Sequence, residues 1–243
     1  LKLSQQKPLS IFRDVFQVFH DMVHFYVEEK KESKRNLFLE PYFKNYDFKK
    51  LLQDECSSPF FADRLFANRF MSLVNSFKDG TKNNQILLFE GPPGSGKSTF
   101  LNNLLFKMEE YVKTSEGSTY STYWKLDVNK LESQNAAASV RDLLNSEEVQ
   151  MGPYPNKDCL EFQCPSHDHP ILMVPKKYRK DFLDTLLEDE QLKERLFNET
   201  QFHWIFNEMP CSICQSLFNL LLDKFHDPTL VYDMIYAKKV RFN

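Results

Sequence analysis

One nine-residue stretch constrains this chain more than any other, Gly91-Pro92-Pro93-Gly94-Ser95-Gly96-Lys97-Ser98-Thr99, here called the glycine loop. It fits the pattern G-x-x-x-x-G-K-S, follows the apolar run 86–89 and precedes apolar residues at helical spacing. A strand, a glycine loop and a helix in this order form the context in which such a loop binds phosphate. Glycines let backbone N–H groups turn toward an anion, and the helix N-terminus adds positive potential. The stretch predicts that the chain binds a nucleoside triphosphate.

The residue types within the glycine loop predict separate roles. Lys97 is expected to reach the β- and γ-phosphates, and the Ser98 hydroxyl is expected to complete the coordination shell of Mg²⁺. We therefore assign catalytic roles to Lys97 and Ser98, with ATP and Mg²⁺ as cofactors. The cofactor-binding set is Gly91, Pro92, Pro93, Gly94, Ser95, Gly96, Lys97, Ser98 and Thr99.

Composition limits the class of protein. The 243 residues are 42% hydrophobic and include 23 phenylalanines, which is enough to build a core. The net charge of −3 does not favour nucleic acid as a partner. Neither an apolar leader at the start nor an apolar run of about 18 residues is present, so we expect a cytoplasmic protein without a membrane span.

Periodicity predicts helices over 10–35 and 61–78, the second leading into the glycine loop. A strand is expected over 120–126, and a helix-loop-strand return of this length fits a parallel βαβ unit. Other expected elements are helices over 140–144, 176–197, 212–225 and 228–236 and strands over 202–206 and 238–242. These elements predict an N-terminal helical segment, 1-58, that can dock a protein partner, and an ATPase core, 59-243.

Two pairs of candidate metal ligands follow the predicted βαβ unit. Cys164 and His167 form C-x-x-H, and Cys211 and Cys214 form C-x-x-C. Such pairs supply two ligands each to a tetrahedral structural zinc ion, here within an insertion at about 150–225. Three alternatives stay open: a thioredoxin-like redox motif at the second pair, cysteines that are merely buried, and His169 or His203 in place of His167.

Hydrolysis of ATP also requires an acidic residue at the end of a second strand. The sequence contains no apolar run that ends in Asp-Glu, and Asp127, after the strand predicted over 120–126, is the candidate. The acid is expected to be unconventional or to lie beyond Asn243.

These motifs together resemble the N-terminal ATPase domain of the PrkA-type serine protein kinase family, a branch of the AAA+ proteins. The resemblance runs from about Phe61 to Asn243 and rests on the glycine loop and the spaced Cys/His boxes. The matching segments are 91–99, 164–171, Pro175 with Arg179, 210–214 and 218–241. Ser212 departs from the proline of the family's second box. The family name implies serine phosphorylation, although the H-R-D and D-F-G elements of protein kinases are absent.

The resulting expectation is an α/β P-loop NTPase (AAA+-like) fold. A parallel sheet with flanking helices would follow the N-terminal helical segment and carry a zinc-knuckle insertion. The expected function is that of an ATPase module, homo-oligomeric, that couples ATP binding and hydrolysis to conformational change. The family's acidic metal-binding segment and sensor residues follow the position of Asn243, so slow hydrolysis is expected. The alternatives are a nucleotide or protein serine phosphotransferase and a non-hydrolysing, ATP-gated interaction domain.

Overall fold

Tertiary contacts divide the chain into two units, for which the computed structural model describes residues 11–30, 44–78, 88–127 and 159–240. The N-terminal unit contains the described residues up to Thr119 together with Glu194–Trp204. The C-terminal unit contains Tyr120–Lys193 and Ile205–Val240. The division into 1-58 and 59-243 stays a prediction, and these contacts define a different partition of the chain.

The N-terminal unit is mainly helical. Its elements are α1 (Val15–Tyr26), β1 (Glu28–Lys30), β2 (Asn45–Asp47), α2 (Lys49–Leu52), α3 (Arg64–Asn75) and α4 (Lys97–Lys113). Strands β1 and β2 pair antiparallel, with Glu29 opposite Tyr46. The helix predicted over 10–35 is therefore shorter than expected, because the mixed charges at 28–30 form a strand. Residues 1–10 and 31–43 lie outside the described residues.

A capping box starts α1 at Asp14. The Asp14 carboxylate accepts a hydrogen bond from Gln17 N at 2.7 Å, and the Gln17 side chain accepts one from Asp14 N at 2.9 Å. These reciprocal bonds satisfy two backbone donors at the helix N-terminus that have no partner within the helix. The capping box accounts for a helix that begins at Val15.

Phe100 anchors α4 in the core of the N-terminal unit. Its ring lies 5.1 Å from Phe66, 5.3 Å from Phe70 and 5.3 Å from Phe60, centroid to centroid. Further along α4, the buried Asn103 amide donates to Leu52 O at 3.1 Å and to Ser58 O at 2.9 Å. The aromatic contacts and these hydrogen bonds hold α4 against the elements that precede the glycine loop.

The C-terminal unit is built on a three-stranded sheet. Its strands are β3 (Tyr120–Asp127), β4 (Cys159–Gln163) and β5 (Ile235–Lys239), in the order β4-β3-β5. The α-helices that follow β4 along the chain are α5 (Arg179–Leu186), α6 (Glu190–Asn198), α7 (His203–Asn207), α8 (Ser212–Phe225) and α9 (Pro228–Tyr232). Of these helices, the part of α6 and α7 within Glu194–Trp204 belongs to the N-terminal unit. Helix α8 buries Ile213, Leu217 and Leu221 in the same core as Trp124 and Phe162. Short 3₁₀ turns lie at Pro170–Met173 and Lys176–Tyr178 in the C-terminal unit and at Thr200–Phe202 in the N-terminal unit.

The predicted parallel sheet of a P-loop NTPase (AAA+-like) fold is wrong. Trp124 of β3 pairs with Phe162 of β4 and with Ile235 of β5, and both pairings are antiparallel. Every strand pair among residues 11–30, 44–78, 88–127 and 159–240 runs antiparallel. The prediction needed a strand at 86–89 to pair with β3, but Leu88 and Phe89 are not in a strand, and residues 86 and 87 lie outside the described residues.

Two further predicted strands differ from the elements that the structure contains. The strand expected over 202–206 is a 3₁₀ turn followed by α7, because a short apolar run does not distinguish a strand from a buried helix. The strand expected over 238–242 occurs earlier, as β5. The helix expected over 140–144 lies outside the described residues. The strand over 120–126 and the helix over 212–225 are confirmed by β3 and α8.

Candidate functional site

A tight turn after β4 carries Cys164, the first residue of a group with Asp168, Cys211 and Cys214 that is here called the metal-type cluster. Cys164 N donates to Thr122 O at 2.9 Å, which fixes Cys164 beside the central strand β3. The turn closes where His167 N donates to Cys164 O at 3.0 Å. His167 adopts a left-handed φ of 54°, a conformation in which histidine is enriched among non-glycine residues. This reversal brings Asp168 N to 3.4 Å from the Cys164 sulfur.

The second pair of cysteines lies at the start of α8. Cys211 is the N-cap residue, and its sulfur accepts a hydrogen bond from Cys214 N at 3.4 Å. The N-terminus of a helix favours negative charge, so this position stabilises thiolates. Cys214 is buried and Cys211 is partly exposed.

The two turns bring four potential ligand atoms together. Ligand atoms of Cys164, Asp168, Cys211 and Cys214 all lie within 4.8 Å of one another, so the group could hold a metal ion such as zinc. The Cys164 and Cys211 sulfurs are 3.6 Å apart. Two sulfurs at about 2.3 Å from a tetrahedral zinc ion lie about 3.8 Å apart, whereas a disulfide requires about 2.05 Å. The spacing fits joint metal ligation, and all five cysteines are free thiols.

Sequence reasoning identified three of these four residues and missed Asp168. His167 is exposed, and its Nδ1 lies 2.8 Å from Gln163 Nε2. The alternative His169 accepts a hydrogen bond from Ile171 N at 3.2 Å, and the alternative His203 belongs to the N-terminal unit. The sequence signal for Asp168 as a ligand is its position directly after the C-x-x-H motif, where a carboxylate can contact the same ion.

N–H groups donate hydrogen bonds to the cysteine sulfurs of the metal-type cluster. Besides the two backbone N–H groups described above, the buried Trp124 indole donates to the Cys214 sulfur at 3.3 Å. An indole or amide N–H can only donate, so each sulfur in these bonds acts as an acceptor, as a thiolate does. Such bonds to metal ligands orient them and stabilise their charge. This pattern agrees better with metal ligation than with inert buried thiols.

Hydrogen bonds hold both the side chain and the backbone of Asp168. Its Oδ2 accepts from Cys211 N at 2.6 Å, and its backbone O accepts from Thr122 N and Oγ1, both at 2.9 Å. Burial raises the pKa of Asp168 to about 6. Hydrogen bonds with the neighbouring Cys164 and Cys214 thiols lower the pKa of Cys211. The hydrogen bond with Cys211 raises the pKa of Cys164, and the pKa of Cys214 is raised as well. A metal ion would have to displace the protons of these two thiols, and its positive charge would then offset the charge of the deprotonated ligands.

Arg179 fixes the chain on both sides of the metal-type cluster. Its guanidinium is fully buried and donates to four backbone oxygens at 2.6–2.9 Å: Leu172 O, Val174 O, Ile205 O and Glu208 O. These oxygens belong to the segment that follows Asp168 and to the segment that precedes Cys211. Burial lowers the pKa of Arg179. The cation is thus stabilised by carbonyl dipoles and orders the two segments that carry the ligands.

The glycine loop lies in the N-terminal unit and precedes α4 as expected. Gly94 and Gly96 both have a left-handed φ of 80°, and α4 begins at Lys97. A Cβ atom on Gly96 would lie 3.0 Å from two carbons of the Phe60 ring, so a larger residue there would require this ring to shift by a few tenths of an ångström. The first N–H groups of a helix lack partners within the helix, and they are the anion-binding groups of such a loop.

Lys97 folds over the glycine loop. Its Nζ donates to Gly91 O at 2.7 Å, to Pro92 O at 2.9 Å and to Ser95 Oγ at 3.3 Å. Ser98 is exposed and Thr99 is half-buried. The ammonium therefore contacts carbonyl oxygens of the glycine loop itself. Asp127, the candidate acid, is the last residue of β3 and pairs with Cys159.

No match was found when the chain was compared with protein-family models, curated proteins and solved structures. The resemblance to the PrkA-type family therefore stays a prediction that rests on the motifs. Within the described part of the chain, no helix has both the length and the apolar character that crossing a bilayer requires.

Proposed function

We propose that this chain binds ATP at the glycine loop and that a structural zinc ion holds its C-terminal unit together. Binding of ATP is supported by the backbone conformation of the glycine loop. Two glycines at a φ of 80° reverse the backbone directly before Lys97, where α4 begins. The first N–H groups of a helix and an adjacent lysine are the groups with which such a loop would bind a β- or γ-phosphate.

ATP binding in this proposal requires Lys97 to move. The ammonium leaves the carbonyl oxygens of Gly91 and Pro92 and pairs with phosphate oxygens, a stronger, charge-assisted contact. The Ser98 hydroxyl is the group of this loop that would hold Mg²⁺, which supplies charge neutralisation between the phosphates. Titration of the protein with ATP, with and without Mg²⁺, tests this half directly.

The proposed zinc site is supported by the distance of 3.6 Å between the Cys164 and Cys211 sulfurs. Cys164, Asp168, Cys211 and Cys214 would supply four protein ligands to a zinc ion, and a site without an open position is typical of structural rather than catalytic zinc. Such an ion contributes its binding free energy to folding. Thiols of this kind persist in a reducing compartment, so a cytoplasmic location is part of the proposal. Metal analysis of the purified protein tests it.

Phosphate release distinguishes the proposed ATPase from its alternatives. Slow release that rises with protein concentration supports a homo-oligomeric ATPase. ADP formation that depends on an added nucleoside monophosphate or serine peptide supports a phosphotransferase. Binding of ATP without turnover supports an ATP-gated interaction domain, in which the N-terminal helices dock a protein partner. Absence of ATP binding contradicts all three.

A further inference from the structure

A cavity of about 120 Å³ lies beside the first turns of α1, within the N-terminal unit. Its lining includes the cationic side chains of Arg13, Lys78 and Arg195, and Phe202 forms part of its wall. An enclosed protein cavity of about 150 Å³ can hold a benzene molecule, so a cavity of this order can hold a phosphate group. The cavity is too small for a nucleotide and suits a ligand the size of a phosphate group.

The polar walls of this cavity are fixed before any ligand enters. Arg13 Nη1 donates to Asp21 Oδ2 at 2.7 Å, and its Nη2 donates to Glu116 O at 2.8 Å. The buried Gln17 amide donates to Lys78 O at 3.4 Å and to Gln201 O at 2.6 Å. These bonds hold α1, Lys78 (three residues after the end of α3) and the 3₁₀ turn at Thr200–Phe202 in one arrangement. A preorganised site loses less entropy when it binds.

Positive charge exceeds negative charge around the cavity. Asp21 offsets Arg13, and Glu199 binds Arg195 through Nε at 2.7 Å, which leaves the Nη1 group of Arg195 for another acceptor. Lys78 is exposed, and the hydrogen bond from Arg195 together with the charge of Lys78 lowers the pKa of Glu199. The three cations Arg13, Lys78 and Arg195 are thus accompanied by the two carboxylates Asp21 and Glu199, which leaves an excess of positive charge.

We propose that this cavity binds a small oxyanion, either inorganic phosphate or the phosphoryl group of a small monoester. The ligand accepts hydrogen bonds from the Arg195 Nη1 group and from Lys78, and its negative charge offsets the excess of positive charge. The inference is independent of ATP binding at the glycine loop. It concerns a different part of the N-terminal unit and different side chains.

Calorimetric titration with inorganic phosphate and, separately, with phenyl phosphate tests the proposal. The titrations use the full chain with Lys97→Ala, which removes the side-chain cation of the glycine loop. Saturable binding in this background supports the cavity. Phenyl phosphate that competes with phosphate identifies a monoester site, and phosphate binding alone identifies a site for the free anion.

Variants then place the binding in the cavity. Lys78→Gln and Arg195→Gln are each expected to weaken phosphate binding by about tenfold or more. Lys113→Gln, at the exposed end of α4, is the matched control and should bind as the parent does. Lys78 is exposed, so its variant should fold normally, and far-UV circular dichroism checks this. Loss of binding in Lys97→Ala, or equal affinity in all three glutamine variants, overturns the proposal.

Discussion

The Cys164 and Cys211 sulfurs lie 3.6 Å apart, although 47 residues separate them along the chain. Cys164 follows β4, and Cys211 caps α8, so this one contact joins the sheet to the main helix of the C-terminal unit. An ion shared by both sulfurs closes a long loop and excludes many conformations of the unfolded chain. The stability of this unit is therefore expected to depend on metal.

Removal of metal is the first test of the zinc site. The protein should contain about one zinc ion per chain, and a chelator should lower its melting temperature, because metal binding is linked to folding. Cys164→Ser should lose the ion, whereas Cys56→Ser, a matched control in the other unit, should retain it. Elemental analysis and thermal denaturation measure these outcomes. An apo protein that melts at the same temperature contradicts the structural role.

Asp168 and His167 offer a paired test of the fourth ligand. Asp168→Ala should weaken metal binding by about tenfold or more, because Asp168 belongs to the ligand group. His167→Ala should bind metal as the parent does, because His167 is exposed and contacts Gln163. The Co²⁺-substituted protein reports the change through its absorption spectrum. The reverse pattern would restore the C-x-x-H interpretation of the sequence.

Lys97→Ala should abolish ATP binding, because the ammonium is the only side-chain cation of the glycine loop. Lys113→Ala removes a lysine from the opposite end of the same helix, where it pairs with Glu109 and Glu110, and should leave binding unchanged. Fluorescence titration with a labelled ATP analogue measures both. Unchanged affinity in Lys97→Ala would remove the basis for the nucleotide proposal.

Arg179→Met should destabilise the protein by about 3 kcal/mol or more, because four carbonyl oxygens lose a charged donor in a buried site. The effect should also reduce zinc retention, since these carbonyls belong to the segments that lead from Asp168 and to Cys211. Lys177→Met, at an exposed position nearby, should change stability by about 0.5 kcal/mol at most. Urea denaturation gives both values. Equal stability of the two variants contradicts the assigned role.

Acid should remove the contribution of Asp21 to stability. Burial by itself would raise the pKa of Asp21, but hydrogen bonds from His20 and Arg13 lower it below its usual value. A carboxyl group whose folded pKa is lowered stabilises the protein above its unfolded pKa of about 3.9, and this contribution disappears as the pH falls through the folded pKa.

Asp21→Asn is therefore expected to be less stable than the parent at pH 7 and equally stable in strong acid. Asp54→Asn, at an exposed turn of the same unit, is the control and should change stability at pH 7 by about 0.5 kcal/mol at most. Urea denaturation from about pH 7 to about pH 2 follows the difference. A constant difference across this range would contradict the ion pair of Asp21 with Arg13.

Local features of the fold could be predicted well from the sequence. Helix α8 occupies the expected residues, because its apolar side chains recur at helical spacing and Cys211 caps it. The reversals at Gly94 and Gly96 follow from residues that tolerate a positive φ. The convergence of Cys164, Cys211 and Cys214 was expected because pairs with two intervening residues are typical of one ion.

Features that depend on distant partners could not be predicted. Either edge of β3 can form backbone hydrogen bonds with any strand. Packing of the whole unit therefore determines that β4 and β5 are its antiparallel neighbours. The charge of Arg179 predicts that its side chain is exposed. The side chain is buried instead, because the fold places four backbone carbonyl acceptors around the guanidinium. The left-handed φ at His167 turns the chain so that Asp168, its neighbour, meets the sulfurs.

The sequence by itself determined the glycine loop, the cysteine pairs and the helices that carry them, because these depend on backbone preferences and spacing over a few residues. Only the tertiary structure decided the direction of the sheet, the fourth residue of the metal-type cluster and the cationic cavity beside α1. Those features arise where segments far apart in the chain meet, and the free energy of packing, rather than local preference, selects which segments do so.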